Sequence, residues 1–395
     1  MQDVTFHNPT KLIIKKDGSV DIVNFLVQDN IKSVLLLTGK TAVKKIGLFD
    51  KITAALKAQN IKFFECCEVR ANPEIKLVIS QVEFCRKNNV QAILCVGGGS
   101  CYDSAKAIAA GAKLPDDVPA SKVWEFYEGT RVPTGALPIY GVLTISATAS
   151  EHNNGGVVQD DEQHKKWSFA SEFTFPVVSI VDPCLQVHLP WYQQVNGFVD
   201  ATVHILEFMT CDDCPEKAEA AFSYNAAMIK TIIKCGDILQ KDPKNYDARA
   251  NFCWIASCAL NQYSGFGFHG GDWAVHMMEH AMGAIDPTVS HGAGLGVAFP
   301  AFVKANSKRG LRTHCYDRIA KEVYGLEGTE GLIKGFQAQL KKWGHPLTLD
   351  ELFAKKMGQT ERKQLLDIYM MKPTCGYYAD WCCPKDIAED AYSMM

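Results

Sequence analysis

Short aliphatic and β-branched runs alternate with amphipathic stretches through the first half of the chain, the order expected of a parallel sheet covered by helices. Ser33–Thr38, Lys62–Phe64, Ala92–Val96, Tyr140–Thr144 and Val178–Val181 read as strands. Between them, Leu48–Ala58 and Glu74–Asn88 carry apolar residues at helical period. The second is introduced by Asn72-Pro73, a cap followed by the proline tolerated in a first turn. This is a βαβ pattern. After Asp182-Pro183 the strand signal stops, and Gln194–Met209, Lys217–Leu239, Asp247–Tyr263, Asp272–Ala284 and Leu295–Asn306 read as long helices. The change of period separates an α/β domain, 1–183, from an all-α domain, 184–395, and 395 residues are enough for two cores.

Composition narrows the partners. Forty-one Lys and Arg against 44 Asp and Glu give a formal net charge of -3, with no basic field to draw nucleic acid or an anionic membrane. A small soluble molecule is the expected partner. No run approaches the roughly 18 apolar residues that span a bilayer, and the start lacks a basic region followed by an apolar one, so the expected location is cytoplasmic. Fifteen cysteines form an odd set scattered through apolar segments such as Phe252-Cys253-Trp254, which suits reduced, buried thiols. Cys211-Asp-Asp-Cys214 and Cys382-Cys383 lack the second pair of a zinc ribbon and any thioredoxin-like surroundings.

Two constellations carry chemistry. The first is Gly97-Gly98-Gly99-Ser100, directly after the apolar strand 92–96 and opening the helical stretch Ser104–Ala110. Glycines let a backbone approach a ligand, and a helix N-terminus offers unpaired N–H groups to a pyrophosphate. The turn departs from the G-x-G-x-x-G fingerprint because Tyr102 occupies the third glycine's place. The second constellation lies in the helical half. Asp200 and His204 stand four apart and share a helix face, His276 and His280 repeat that spacing, and His291 follows in a turn-like segment, Pro287–Gly292. A carboxylate with imidazoles is a donor set for a divalent first-row metal. Spacing alone leaves open which of His276 and His280 is the ligand. His276-Met-Met-Glu279-His280 also matches the H-x-x-E-H motif of inverted zinc peptidases, a reading that gives no task to the glycine turn or to Asp200 and His204.

Together these segments resemble the iron-containing (group III) alcohol dehydrogenases, in their butanol-dehydrogenase-like, NADP(H)-dependent branch. The resemblance runs from Phe6-His-Asn-Pro9-Thr10 through Gly97–Ser100 with Asp103 and Lys106, Thr144–Glu151, Lys166, Asp182-Pro183 and Leu189-Pro190. It continues in Asp200-Ala-Thr-Val-His204, Asp272–His280 and His291-Gly292. It implies a dehydroquinate synthase-like architecture: a dinucleotide-binding α/β domain, then an all-α metal-binding domain. It makes Asp200, His204, His276 and His291 the ligands of Fe2+ or Zn2+ and sets His280 beside the substrate. It puts Gly97, Gly98, Gly99 and Ser100 at the pyrophosphate, Asp103 towards the ribose and nicotinamide, and Thr144, Thr148 and Lys166 along the cofactor. The implied reaction is reversible hydride transfer between NADP(H) and a primary alcohol or aldehyde, in at least a homodimer. A polyol or other alcohol is the alternative substrate, and a nucleotide-binding scaffold with a structural metal is the non-enzymatic alternative.

Cofactor choice turns on Leu37–Thr41. An acidic residue at such a strand end binds the ribose 2′-hydroxyl and repels a 2′-phosphate. NAD-preferring relatives commonly carry aspartate there. Gly39 removes the repulsion, and Thr38, Lys40, Thr41 and Lys44 bring donors or positive charge, which favours NADP(H). Two departures from the family pattern bear on the site. His276 and His291 are fifteen residues apart, one more than usual, so the connection must bulge, and Ala147 and Ala149 replace glycines in the 144–151 loop.

Overall fold

The computed structural model describes residues 3–211, 215–268, 270–372 and 383–395; Cys214 and Cys382 of the two cysteine motifs lie outside them. Two compact units divide the chain: His7–Leu189, and Pro190–Met395 together with the residues up to Phe6.

The first unit is built on β1 (Lys11–Ile14), β2 (Ser33–Gly39), β3 (Lys62–Val69), β4 (Ala92–Gly97), β5 (Ile139–Leu143) and β8 (Val178–Val181). These form one parallel sheet in the order β1-β8-β5-β4-β2-β3. The register sets Val34 beside Ala92, Leu94 beside Tyr140 and Tyr140 beside Val178, so alternate residues of four strands make one apolar face. Ile22 and Leu26 of α1 (Ile22–Gln28) and Ile52 and Leu56 of α2 (Leu48–Ala58) cover it. Each such side chain contributes roughly 1.5–3 kcal/mol on leaving water. The helices α3 (Ile75–Lys87) and α4 (Gly99–Gly111) pack together, and α4 lies along β4 and β5. From β2 the chain goes outward to β3 and then returns past β2 to β4, so the winding reverses between β2 and β4. Thr38 pairs with Val96 there, which sets Gly39 next to Gly97 at the carboxyl end of the sheet, where open α/β sheets bind ligands.

Four features of this unit differ from the sequence expectation. The strand β3 continues to Val69, and an antiparallel hairpin, β6 (Gly155–Asp160) with β7 (Lys165–Ala170), was not signalled by its glycines and lysines. The edge strand β1 is only four residues long and was missed as well. Finally, α3 starts at Ile75, so Asn72-Pro73 precedes the helix, and the Pro73 carbonyl accepts the Gln159 N–H at 2.8 Å, tying the hairpin down.

The second unit is all helix among its described residues: α5 (Trp191–Met209), α6 (Glu219–Lys241), α7 (Tyr246–Cys258), α8 (Ala274–Ile285), α9 (His291–Ser307), α10 (Gly328–Trp343), α11 (Gln359–Tyr369) and α12 (Lys385–Met394), with shorter turns between. At its centre, α9 packs on α5, α8, α10 and α12. Close approach explains its glycines. A Cβ on Gly292 would run into the Asn196 carbonyl of α5, and one on Gly294 would come within 2.6 Å of Glu279 Cγ. The same glycines weaken the local helix signal, which is why the helix was expected only from Leu295. His291 is therefore not in a turn but is the first residue of α9. No described helix is long and apolar enough to cross a membrane. The described cysteines are free thiols, all but Cys67 and Cys184 buried, and burial pushes those of Cys85 and Cys101 up to about 12.

Candidate functional site

Three helices of the second unit converge on one carboxylate oxygen. Asp200 and His204 lie one turn apart on α5, His276 is in the first turn of α8, and His291 opens α9. Asp200 Oδ1 stands 3.4 Å from His204 Nδ1, 3.6 Å from His276 Nε2 and 3.6 Å from His291 Nε2. Ligand atoms of Asp200, His276 and His291 all fall within 4.8 Å of one another, and the His204 ring stacks on that of His276 with centroids 4.4 Å apart. Asp200 Oδ1, His204 Nδ1 and His276 Nε2 are buried and have no hydrogen-bond partner among the described residues. Such groups left bare cost about 1–3 kcal/mol each, and a hard oxygen among imidazole nitrogens is a donor set that a divalent cation satisfies.

Electrostatics prepare Asp200 and His204, while His276 holds a proton that a bound cation would displace. Burial would push Asp200 up, but His204, His291 and His276 outweigh it and hold the carboxyl well below the usual range. Burial brings His204 down to about 3, only partly offset by Asp200, so its ring is neutral and free to donate a lone pair. Burial also opposes the charge on His276, yet the carboxylates of Glu207 and Asp200 prevail and raise it to about 9.

The fifteen-residue spacing is accommodated in the 286–290 turn. Thr288 donates from its N–H and its hydroxyl to Asp286 Oδ1 at 2.9 and 2.6 Å, and the Val289 N–H reaches the Asp286 carbonyl at 3.1 Å. His280 is buried one turn beyond His276, its ring centroid 5.7 Å from that of His291. Glu279, which would be general base in a peptidase, instead directs its carboxylate to His291 Nδ1. Sequence reasoning placed Glu279 only in the rival peptidase motif, and it assigned no task to Glu207, whose carboxylate meets His276 Nδ1, or to Trp273, whose indole stands edge-on to His204 and His276. A signal existed for the glutamates: Glu207 is three residues beyond His204, and Glu279 three beyond His276. Trp273 adopts a left-handed φ of 65° between the buried Asp272–Arg312 ion pair and the start of α8.

In the first unit, Gly97 ends β4, Gly98 caps α4 and Gly99 begins it. The cap has no side chain, so the first turn of α4 has no side-chain acceptor from Gly98, although the Cys101 N–H donates to the Gly98 carbonyl at 2.9 Å. The glycines also make room for the 144–148 loop. A Cβ on Gly98 would strike Ile145, one on Gly99 would lie 2.5 Å from Thr148 Oγ1, and the Thr144 N–H donates to the Gly97 carbonyl at 2.9 Å. Tyr102 has a comparable explanation: its ring lies where a Cβ on Gly141 would be, so β5 carries the small residue that the fingerprint puts on the helix. Ser100 is in the first turn of α4, where its carbonyl accepts the Ser104 hydroxyl. Asp103 Oδ1 accepts the Ser150 hydroxyl at 2.6 Å. The buried Lys106 donates to Ser150 Oγ, Asn153 Oδ1 and the Gly155 carbonyl at 2.9, 2.7 and 2.6 Å. Asp103 and Lys106 thus fasten the loop to α4, and burial lowers Lys106 to about 8 although Asp103 and Glu151 oppose it. Lys166, buried on β7 opposite Gln159, adjoins this region through the hairpin, which packs on α4. Gly39 ends β2, where a Cβ would touch only the Val69 carbonyl at 3.4 Å. Lys40 and Thr41 are exposed beside it, and the Lys44 ammonium lies over the Phe49 ring.

A parallel α/β unit with a glycine turn at its winding reversal thus stands in one chain with a helical unit that carries an aspartate–histidine cluster. Comparison with known proteins gives the family. Residues 9–183 match the iron-containing alcohol dehydrogenase model, and residues 194–369 match the C-terminal model of the Fe-containing alcohol dehydrogenase family. The chain belongs to the iron-containing alcohol dehydrogenase family. It is 34% identical over 306 residues to the probable NADH-dependent butanol dehydrogenase 2 of Bacillus subtilis, covering 77% of this chain and 75% of that one. It is 32% identical over 332 residues to the NADPH-dependent aldehyde reductase YqhD of Escherichia coli, 84% of this chain and 82% of that one. The solved NADH-dependent butanol dehydrogenase A of Thermotoga maritima superposes with a TM-score of 0.90 at 33% identity, covering 100% of this chain and 98% of the other.

Proposed function

We propose that this chain transfers hydride reversibly between NADP(H) and a primary alcohol or aldehyde, with a divalent metal, Fe2+ or Zn2+, held by Asp200, His204, His276 and His291. The observation that carries the proposal is the single buried oxygen, Asp200 Oδ1, faced at 3.4–3.6 Å by nitrogens of three histidines. When bound, such a cation supplies Lewis acidity that stabilises charge developing on a substrate oxygen.

The chain's own residues do the rest. The amides opening α4, with Gly97, Gly98, Gly99 and Ser100, receive the pyrophosphate, while Thr144, Thr148, Asp103 and Lys166 line the cofactor's course. Aldehyde reduction moves the C4 hydride of NADPH to the carbonyl carbon and a proton to the oxygen, leaving NADP+ and the alcohol. His280, on the His276 face of α8, relays that proton to and from solvent. The lack of an acid at position 39 supports NADP(H), and the named relatives include both NADH- and NADPH-dependent enzymes.

The test is metal content of the purified protein together with NADPH and NADH oxidation across a panel of aldehydes. The expected result is about one metal per chain and faster turnover with NADPH. A metal-replete protein that turns over no aldehyde or alcohol would count against the reaction, and preference for NADH would count against the cofactor.

A further inference from the structure

Two buried glutamates outside the ligand set meet the histidines that α8 and α9 bring to Asp200. Glu207 and Glu279 are 1% and 0% exposed, so neither serves as a solvated surface charge. Glu207 Oε2 meets Nδ1 of His276, while its Oε1 accepts the Val275 N–H at 2.8 Å. One carboxylate therefore fixes both the ring and the first turn of the helix that carries it. Glu279 Oε2 meets Nδ1 of His291. In both rings the other nitrogen, Nε2, faces Asp200 Oδ1 at 3.6 Å. The fold reserves the space as well, because only the absence of a side chain at Gly294 lets Glu279 Cγ pass α9.

We infer that Glu207 and Glu279 are positioning residues that hold His276 and His291 in the Nδ1–H tautomer and aim both Nε2 lone pairs at a shared cation. The inference rests on the metal reading proposed above. Neutral imidazole has one N–H. A carboxylate that accepts it settles which nitrogen keeps the lone pair, stops the ring from turning and makes that lone pair more basic. The two glutamates also bring the buried carboxylates around the cluster to three with Asp200, a charge that suits a dication.

The test strips the full-length protein of metal and titrates it with Zn2+ alone against a competing chelator. Uptake of one ion by the natural protein, and its loss in His276→Ala, examines the metal reading by itself. Given that uptake, Glu279→Ala and Glu207→Ala should keep the stoichiometry and weaken Zn2+ binding about 10- to 100-fold. Glu279→Gln should fall between, since its amide oxygen still accepts the Nδ1–H without the charge. Glu207→Ala also deprives Val275 of its acceptor and can fail to fold, so the natural protein labelled with 15N-histidine provides a second readout. Loaded with Zn2+, the rings of His276 and His291 should show a protonated Nδ1 and a metal-shifted Nε2. Natural affinity in Glu279→Ala, or Nε2-protonated rings at both positions, overturns the inference and leaves the metal reading standing.

Discussion

The cluster on α5, α8 and α9 and the turn at the start of α4 are made of different material. In the cluster the facing atoms belong to ionisable side chains: three histidines face Asp200, Glu207 meets His276 and Glu279 meets His291. In the turn the functional atoms are backbone amides, and what matters is side chains that are missing, at Gly98 and Gly99, so that Ile145 and Thr148 can lie where a Cβ would be. A site of the first kind is destroyed by taking atoms away, and one of the second kind by adding them.

The largest effect should come from subtraction in the cluster. His276→Ala removes a proposed ligand at the centre of the set, and losing several kcal/mol of charge stabilisation should lower turnover about a thousandfold. Metal analysis and steady-state kinetics on the folded variant check this, and natural metal occupancy with natural activity would remove His276 from the ligand set.

Lys106 is the exception in the turn, a place where a backbone site depends on a charged side chain. Lys106→Met leaves Ser150, Asn153 and the Gly155 carbonyl short of a donor and should cost roughly 2–3 kcal/mol of stability, read by denaturant unfolding. The cost has a pH signature. The folded-state value, about 8, lies below the ordinary 10.5, so between them the unfolded chain holds the proton that the folded one has shed. Stability of the natural protein relative to Lys106→Met should therefore rise with pH across that window. A difference that is flat or falls from pH 8 to 10 would show that the lysine is not held in this buried network.

Addition in the turn should have the next effect. Gly99→Ala sets a methyl 2.5 Å from Thr148 Oγ1, and overpacking of about 1–3 kcal/mol should weaken NADPH binding roughly 10- to 100-fold with metal retained. The double variant with Thr148→Ala sharpens the comparison. If relieving the contact restores NADPH binding to that of Thr148→Ala alone, the glycine serves the loop; if binding stays weaker than in Thr148→Ala, it serves the phosphate. The smallest effect is expected at Gly39→Asp, where the strand end has room for the new side chain. Like charge against a 2′-phosphate should move the ratio of kcat/KM for NADPH over NADH about tenfold towards NADH. No movement in that ratio would exclude this strand end as the selector.

The same contrast explains what the sequence made legible. Side-chain chemistry at helical spacing could be read directly: Asp200 with His204, and His276 with His280, fall on their helix faces as the i, i+4 pattern requires. The sheet strands with continuous aliphatic runs could be read for the same reason. What escaped depended on partners distant in sequence. That His276, and not His280, faces Asp200 needed the position of another helix, and the contacts of Glu207 and Glu279 needed the rings they meet. The start of α9 was hidden because glycines required by helix contacts are poor helix formers. Tyr102 looked like a defect in the fingerprint until Gly141, on a strand 39 residues on, supplied the space. Ala149 has a left-handed φ of 54°, a conformation that favours glycine.

The central claim is that one divalent ion sits among Asp200, His204, His276 and His291, and anomalous diffraction from crystals of the purified protein, recorded at the iron and zinc edges, tests it most directly. The account predicts a single strong peak about 2.0–2.2 Å from Asp200 Oδ1 and from the facing nitrogens of the three histidines. Metal-replete crystals with no peak among these four residues, or with the peak at a different set of side chains, would contradict it.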